Sequence, residues 1–189
     1  IESPVIMILV ASTALCKDWS AYRLIRNFIL LLGGILTLVH ITVAFTPLYE
    51  IIVIDVLGAP EVIVKPARIG LQCMTPWTLS IAVRRFLQGI VIRAGQTRLI
   101  GLGTLIRLFV SSSVLLGGLV LNSFTGIVVA TVAMSSGVMI EAALILLFVR
   151  PILKGLKESN PQPVVPLTLK QLGAFYWPLA LTPLITLAT

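Results

Sequence analysis

Apolar residues along this 189-residue chain gather into six runs, at residues 1–16, 27–46, 69–92, 99–121, 124–149 and 171–189, parted by short polar patches. A helix that crosses a bilayer needs about 20 predominantly apolar residues. The pattern therefore predicts an all-α, polytopic membrane protein with six spans, of which the first and last are cut short. The stretch "TPLYEIIVIDVLGAPEVI" (46–63) is also apolar but is spotted with Glu50, Asp55 and Glu61. It is read as an amphipathic segment at the outer surface rather than a further span.

The breaks between runs set the organisation. Pro76 in "TPW" predicts a kink in the third span, tolerated where neighbouring groups satisfy the freed carbonyl. The turns "RAGQTR" (93–98) and "NSF" (122–124) are short enough to make the third, fourth and fifth spans antiparallel neighbours. The longest connection, "RPILKGLKESNPQPVVPLTLKQ", carries Pro161, Pro163 and Pro166, which predict a linker. The expected division is a transmembrane lobe over residues 1–157, a cytoplasmic linker over 158–170, and the first helix of a second unit over 171–189. Ile1 and an apolar run reaching Thr189 read as the ends of a piece of a longer protein. Glu2, Pro4 and a run ending at Lys17 do not match the basic start and small-residue cleavage site of a signal peptide.

Composition agrees. The chain is 58% hydrophobic and 11% charged, with a mean hydropathy of +1.08, whereas soluble domains carry about 25% charged residues. A net charge of +7 would suggest nucleic acid in a soluble protein, but here position explains it. Lys17, Arg23, Arg26, Arg93, Arg98, Arg150, Lys154, Lys157 and Lys170 fall in or beside alternate connections, and the opposite ones hold only Lys65 and Arg68. The positive-inside rule then places loops 17–26, 93–98 and 150–170 in the cytoplasm, which points to a plasma or inner membrane and calls for no nucleic-acid partner. Cys16 and Cys73 form neither a disulfide framework nor a metal-ligand spacing. With no phosphate-binding glycine loop, HExxH or GxSxG, the sequence points away from an enzyme and calls for no cofactor or metal.

Charges within the spans are the exception that carries information. Arg84 and Arg85 lie nine and eight residues before Arg93, and Glu141 lies nine before Arg150. Arg107 lies at a similar distance from the start of its span, so all four are predicted at one depth, about 12–14 Å from the inner boundary at the 1.5 Å rise of a helix. On the fourth span Gly103, Thr104, Arg107, Ser111 and Gly118 share a stripe, and on the fifth Gly126, Ala130, Ala133, Gly137 and Glu141 share another. Small residues let helices approach closely and buried charges face the bundle or a cavity. An Arg107–Glu141 pair is the simplest outcome, which leaves Arg84 and Arg85 without an acidic partner. Successive residues diverge by about 100° on a helix, so the two arginines cannot share one lumen. Either they snorkel to inner headgroups, or one guanidinium lines a substrate path. Arg84 is the candidate for the lumen because Gln88 follows on its face, while Arg85 reaches headgroups or another helix. His40 is open between a titrating role in transport and a bond to a neighbouring helix.

The stretch "RRFLQGIVIRAGQTRLIG" resembles the fourth-to-fifth helix junction of the multidrug/oligosaccharidyl-lipid/polysaccharide (MOP) transporter superfamily, and "KQLGAFYWPLAL" is similar to the start of the seventh helix in its progressive ankylosis branch. "LVHITVAFTPL" fits that branch in placement, whereas the Arg84–Arg85 doublet is nearer to the multidrug and toxin extruders. The resemblance covers nearly the whole chain as helices two to seven of about twelve. It implies two six-helix lobes arranged as a V around a central cavity, alternating access about a central site, and exchange driven by protons or sodium. The ankylosis branch is associated with export of pyrophosphate, ATP or citrate-like anions, and the extruders with amphiphilic cations.

These readings converge on a secondary active exporter in the lipid bilayer for small organic or phosphate-bearing anions. Three buried arginines against one buried acid favour an anionic over a cationic substrate. The expected pathway residues are Arg84, Gln88, Arg107, Ser111, Glu141 and His40, with a proton or sodium ion as coupling partner. A multidrug antiporter, a flippase for a lipid-linked saccharide, and a non-transporting scaffold subunit are the alternatives.

Overall fold

A computed structural model describes residues 3–121, 124–159 and 166–188. Among them all regular structure is helical: α1 (Ser3–Ile6), α2 (Ile8–Leu15), α3 (Trp19–Phe45), α4 (Leu48–Glu50), a π-helical turn (Ile51–Val56), α5 (Glu61–Cys73), α6 (Trp77–Arg93), α7 (Arg98–Leu121), α8 (Gly126–Ser159) and α9 (Leu169–Ala188). Among the described residues three helices, α3, α7 and α8, are long and apolar enough to cross a membrane. The protein is thus helical and has the make-up of a membrane protein.

Local chemistry explains the boundaries. The Asp18 carboxylate accepts from the Ala21 N–H at 2.9 Å and from the Ser20 hydroxyl at 2.6 Å, starting α3 eight residues before the apolar run predicted at 27–46. Pro47 ends that helix, and its last carbonyls are taken by side chains of α5. Arg68 donates to Ala44 and Thr46, and Gln72 also donates to Ala44. The predicted kink at Pro76 is a full break that divides the third apolar run into α5 and α6. At the end of α6, Gly95 adopts φ +72°, and Gln96 N–H bonds Val91 O while Gly95 N–H bonds Ile92 O. This is a Schellman closure, which turns the chain directly into α7.

One expected boundary changes. The fifth run was expected to end at residue 149, but α8 continues to Ser159 with Pro151 inside it. Beyond Arg150 the helix still has an apolar face: Ile152, Leu153 and Leu156 pack on the core, and Lys157 lies over the Trp19 ring. Residues 160–165, the centre of the expected linker, lie outside the described residues, as do Asn122 and Ser123 of the α7–α8 turn. The helix expected to open another unit, α9, places Leu172, Tyr176 and Ala180 against the core formed by α2, α3 and α6, and Tyr176 meets Phe28 edge-on at 5.2 Å.

That core is built from Val5, Ile8, Ile25, Ile29, Phe86, Leu87, Ile145, Val149 and Tyr176. Its tightest seam is α2 against α6. A Cβ on Gly89 would sit 2.7 Å from Leu9 O and 2.9 Å from Ser12 Cβ, so only glycine permits this approach. By contrast, α8 lies between α6 and α7, and α7 packs on α8 almost alone. Leu105, Phe109, Leu116 and Val120 of α7 face outward, as do Leu31, Leu38 and Phe45 of α3, in keeping with a hydrocarbon surrounding.

Candidate functional site

The position of α8 between α6 and α7 decides the site. Near its middle Glu141 points inward, with its side chain 1% exposed. The Arg84 Nη1 of α6 donates to Glu141 Oε2 at 2.5 Å. The Arg107 Nε of α7 approaches the same oxygen at 3.4 Å. Gln88 Nε2, one turn along α6 from Arg84, donates to Oε1 at 3.1 Å. One carboxylate therefore draws together side chains of two other helices, and the four residues lie at one level of the bundle.

The expectation that Glu141 pairs with Arg107 and leaves Arg84 unpartnered is corrected here. Arg84 is the nearer and more deeply buried partner, 8% exposed against 32% for Arg107. The physical reason is order across the bundle. Because α6 and α7 flank α8 rather than packing on each other, a carboxylate on α8 reaches both. Arg84 and Gln88 share a face, and both are buried and bonded to Glu141. Arg85 is half-buried, and its Nη1 lies 3.5 Å from Gln88 Oε1, so it reaches the edge of the same cluster rather than a separate helix.

Close approach makes the geometry possible. Gly103 of α7 lies against the Glu141 stem, where a Cβ would be 3.4 Å from Glu141 Cγ. A Cβ on Gly137 would collide with the Ser111 hydroxyl and sit 3.1 Å from Arg107 Cγ and 3.2 Å from Arg107 O. The predicted small-residue stripes thus meet at Gly103 and Gly137, and again where Gly118 abuts Val129, while Gly126 has open space around it.

Ser111 and His40 have other work. The Ser111 hydroxyl donates to Ala133 O at 3.0 Å, tying α7 to α8 one turn from the charges. His40, buried on α3, has Nε2 2.8 Å from Leu71 O of α5, so it bonds a neighbouring helix and takes no part in the cluster. Donor capacity remains within the cluster itself: the Nε groups of Arg84 and Arg85 are buried and have no hydrogen-bond partner among the described residues. Three guanidiniums face one carboxylate, and Glu141 is the only acidic residue between Glu61 and Glu158. Among the described residues no group of three His, Cys, Asp or Glu side chains is placed to hold a metal.

Comparison with protein-family models, curated proteins and solved structures finds no match. The functional reading therefore stands on the geometry and on the sequence.

Proposed function

We propose that the chain is part of a secondary active transporter that moves small organic or phosphate-bearing anions by alternating access, with the lobe arrangement of the MOP superfamily. The observation that carries this reading is the excess of cationic donors within the spans: buried Arg84 and part-exposed Arg107 meet the single carboxylate of Glu141, and half-buried Arg85 stands at its edge against Gln88. Placing a charge away from water is costly unless it is paired, and a helix lock needs only one arginine per carboxylate. The surplus guanidiniums, with spare N–H groups on Arg84 and Arg85, suit an oxyanion that arrives from outside the chain. Residue by residue, Arg84 and Arg107 would hold the anion, Gln88 would orient it, and Arg85 would supply positive potential at the edge. Ser111 would keep α7 on α8.

A second reading, a membrane scaffold in which the charges only lock helices, draws support from the sealing of Glu141. Flux in proteoliposomes separates the two. The transport reading expects radiolabelled citrate or pyrophosphate to move and ethidium not to, with anion flux lost in Arg84→Gln. Ethidium flux instead would point to a cation extruder, and no flux of any of the three would leave the scaffold.

A further inference from the structure

We infer that Glu141 occupies the seat of the transported anion, so that an oxyanion enters between Arg84 and Arg107 only as Glu141 takes up a proton and releases them. This deepens the transport reading and rests on it. The Glu141 carboxylate is held as a ligand would be: Oε2 spans the guanidiniums of α6 and α7, and Oε1 takes an N–H from Gln88. A carboxylate is also what an organic anion would present to the same donors. Arg84 gives Glu141 an Nη1 bond while its own Nε stays unpartnered although the side chain is 8% exposed. A guanidinium can grip an oxyanion through two parallel N–H groups, so the seat offers more than Glu141 uses.

The charges facing Glu141 are Arg84 and Arg85 from α6 and Arg107 from α7. On α8 no other charged residue precedes Arg150, and on α5 Lys65 is exposed and Arg68 pairs with Glu50. Three guanidiniums and one carboxylate leave two positive charges in the cluster. A dianion entering beside an ionised Glu141 would compete with it for the same N–H groups. A proton from water onto Glu141 neutralises the competitor, and the dianion then leaves the cluster with one positive charge. Proton and anion thus travel together, in the same direction, rather than in exchange.

Oxalate is a suitable probe because its carboxyls stay ionised between about pH 6 and pH 8. Its binding to the full chain in detergent micelles is measured by titration calorimetry in buffers of different ionisation heat, which counts protons. The inference expects one proton taken up per oxalate and a Kd that tightens by about tenfold for each pH unit lowered. Glu141→Gln should bind oxalate with a flat pH profile and at least about tenfold more tightly than the unaltered protein at pH 8. Oxalate binding without proton uptake, or with the same pH slope in Glu141→Gln, would overturn the inference and leave the transport reading standing. Absence of binding by oxalate, citrate and pyrophosphate alike would overturn both. The proton count is made on the unaltered protein, so it decides the matter even where Glu141→Gln does not fold.

Discussion

Two arginine–carboxylate pairs of this protein have similar contact distances and very different surroundings. Arg84 and Glu141 meet at 2.5 Å between α6 and α8, and Arg68 and Glu50 meet at 3.0 Å where α5 closes over the end of α3. The Glu141 side chain is 1% exposed and that of Glu50 is 53% exposed. Solvent screens the outer pair, so its charge adds little, and Arg68 acts there chiefly through its bonds to Ala44 and Thr46 and its position over the Tyr49 ring. In the inner pair neither partner has water to fall back on. A buried pair is weak evidence for stability in itself, because apolar replacements can do as well. The two further guanidiniums beside this buried pair are what the proposed transport reading assigns to an anion.

The contrast can be broken from its strongest side first. Glu141→Ala leaves the buried Arg84 without its carboxylate and should cost about 3–5 kcal/mol, read as loss of folded protein in thermal unfolding in detergent. Gly137→Ala forces a methyl against Ser111 and the Arg107 backbone and should cost about 1–3 kcal/mol as α7 shifts from α8. Arg107→Ala, removing a longer and one-third exposed contact, should lose about 1.5 kcal/mol, clearly less than Arg84→Ala in the same assay.

Asp18 offers a milder test away from both pairs. Burial raises its carboxyl pKa, but the bonds from Ser20 and Ala21 outweigh that and hold it below the ordinary carboxylate value. Its contribution is therefore complete above the ordinary range and fades as pH falls through the lowered value. Asp18→Ala should cost about 1 kcal/mol at neutral pH and nothing in strong acid. Smallest of all, Glu50→Gln should change stability by less than about 1 kcal/mol, with the difference shrinking as salt is added.

Much of this was legible in the order of residues. The apolar runs mark α3, α7 and α8, Pro76 marks the break before α6, and the spacing of Arg84, Arg107 and Glu141 from their helix ends marks a common level. Helical periodicity gives the direction in which a side chain leaves its own helix. It does not say which helix stands between two others, so the Arg84–Glu141 bond was hidden until α8 was placed. The continuation of α8 was hidden for a related reason. Pro161, Pro163 and Pro166 suggested a linker, whereas the spacing of Ile152, Leu153 and Leu156 carried the helical signal. The start of α9 could have been read directly: in "TLKQ" the Thr168 hydroxyl accepts from Gln171 N–H and Gln171 Oε1 accepts from Thr168 N–H, a capping box. That α9 docks on α1 and α2 depends on packing that no local pattern contains.

The central claim is that the inner cluster, and not the outer pair, meets an anion. Citrate flux into proteoliposomes measured side by side for Arg84→Gln and Glu50→Gln tests it most directly, with folded protein in each vesicle set matched by quantity. The account predicts flux abolished by Arg84→Gln and unchanged by Glu50→Gln; equal flux through both would contradict it.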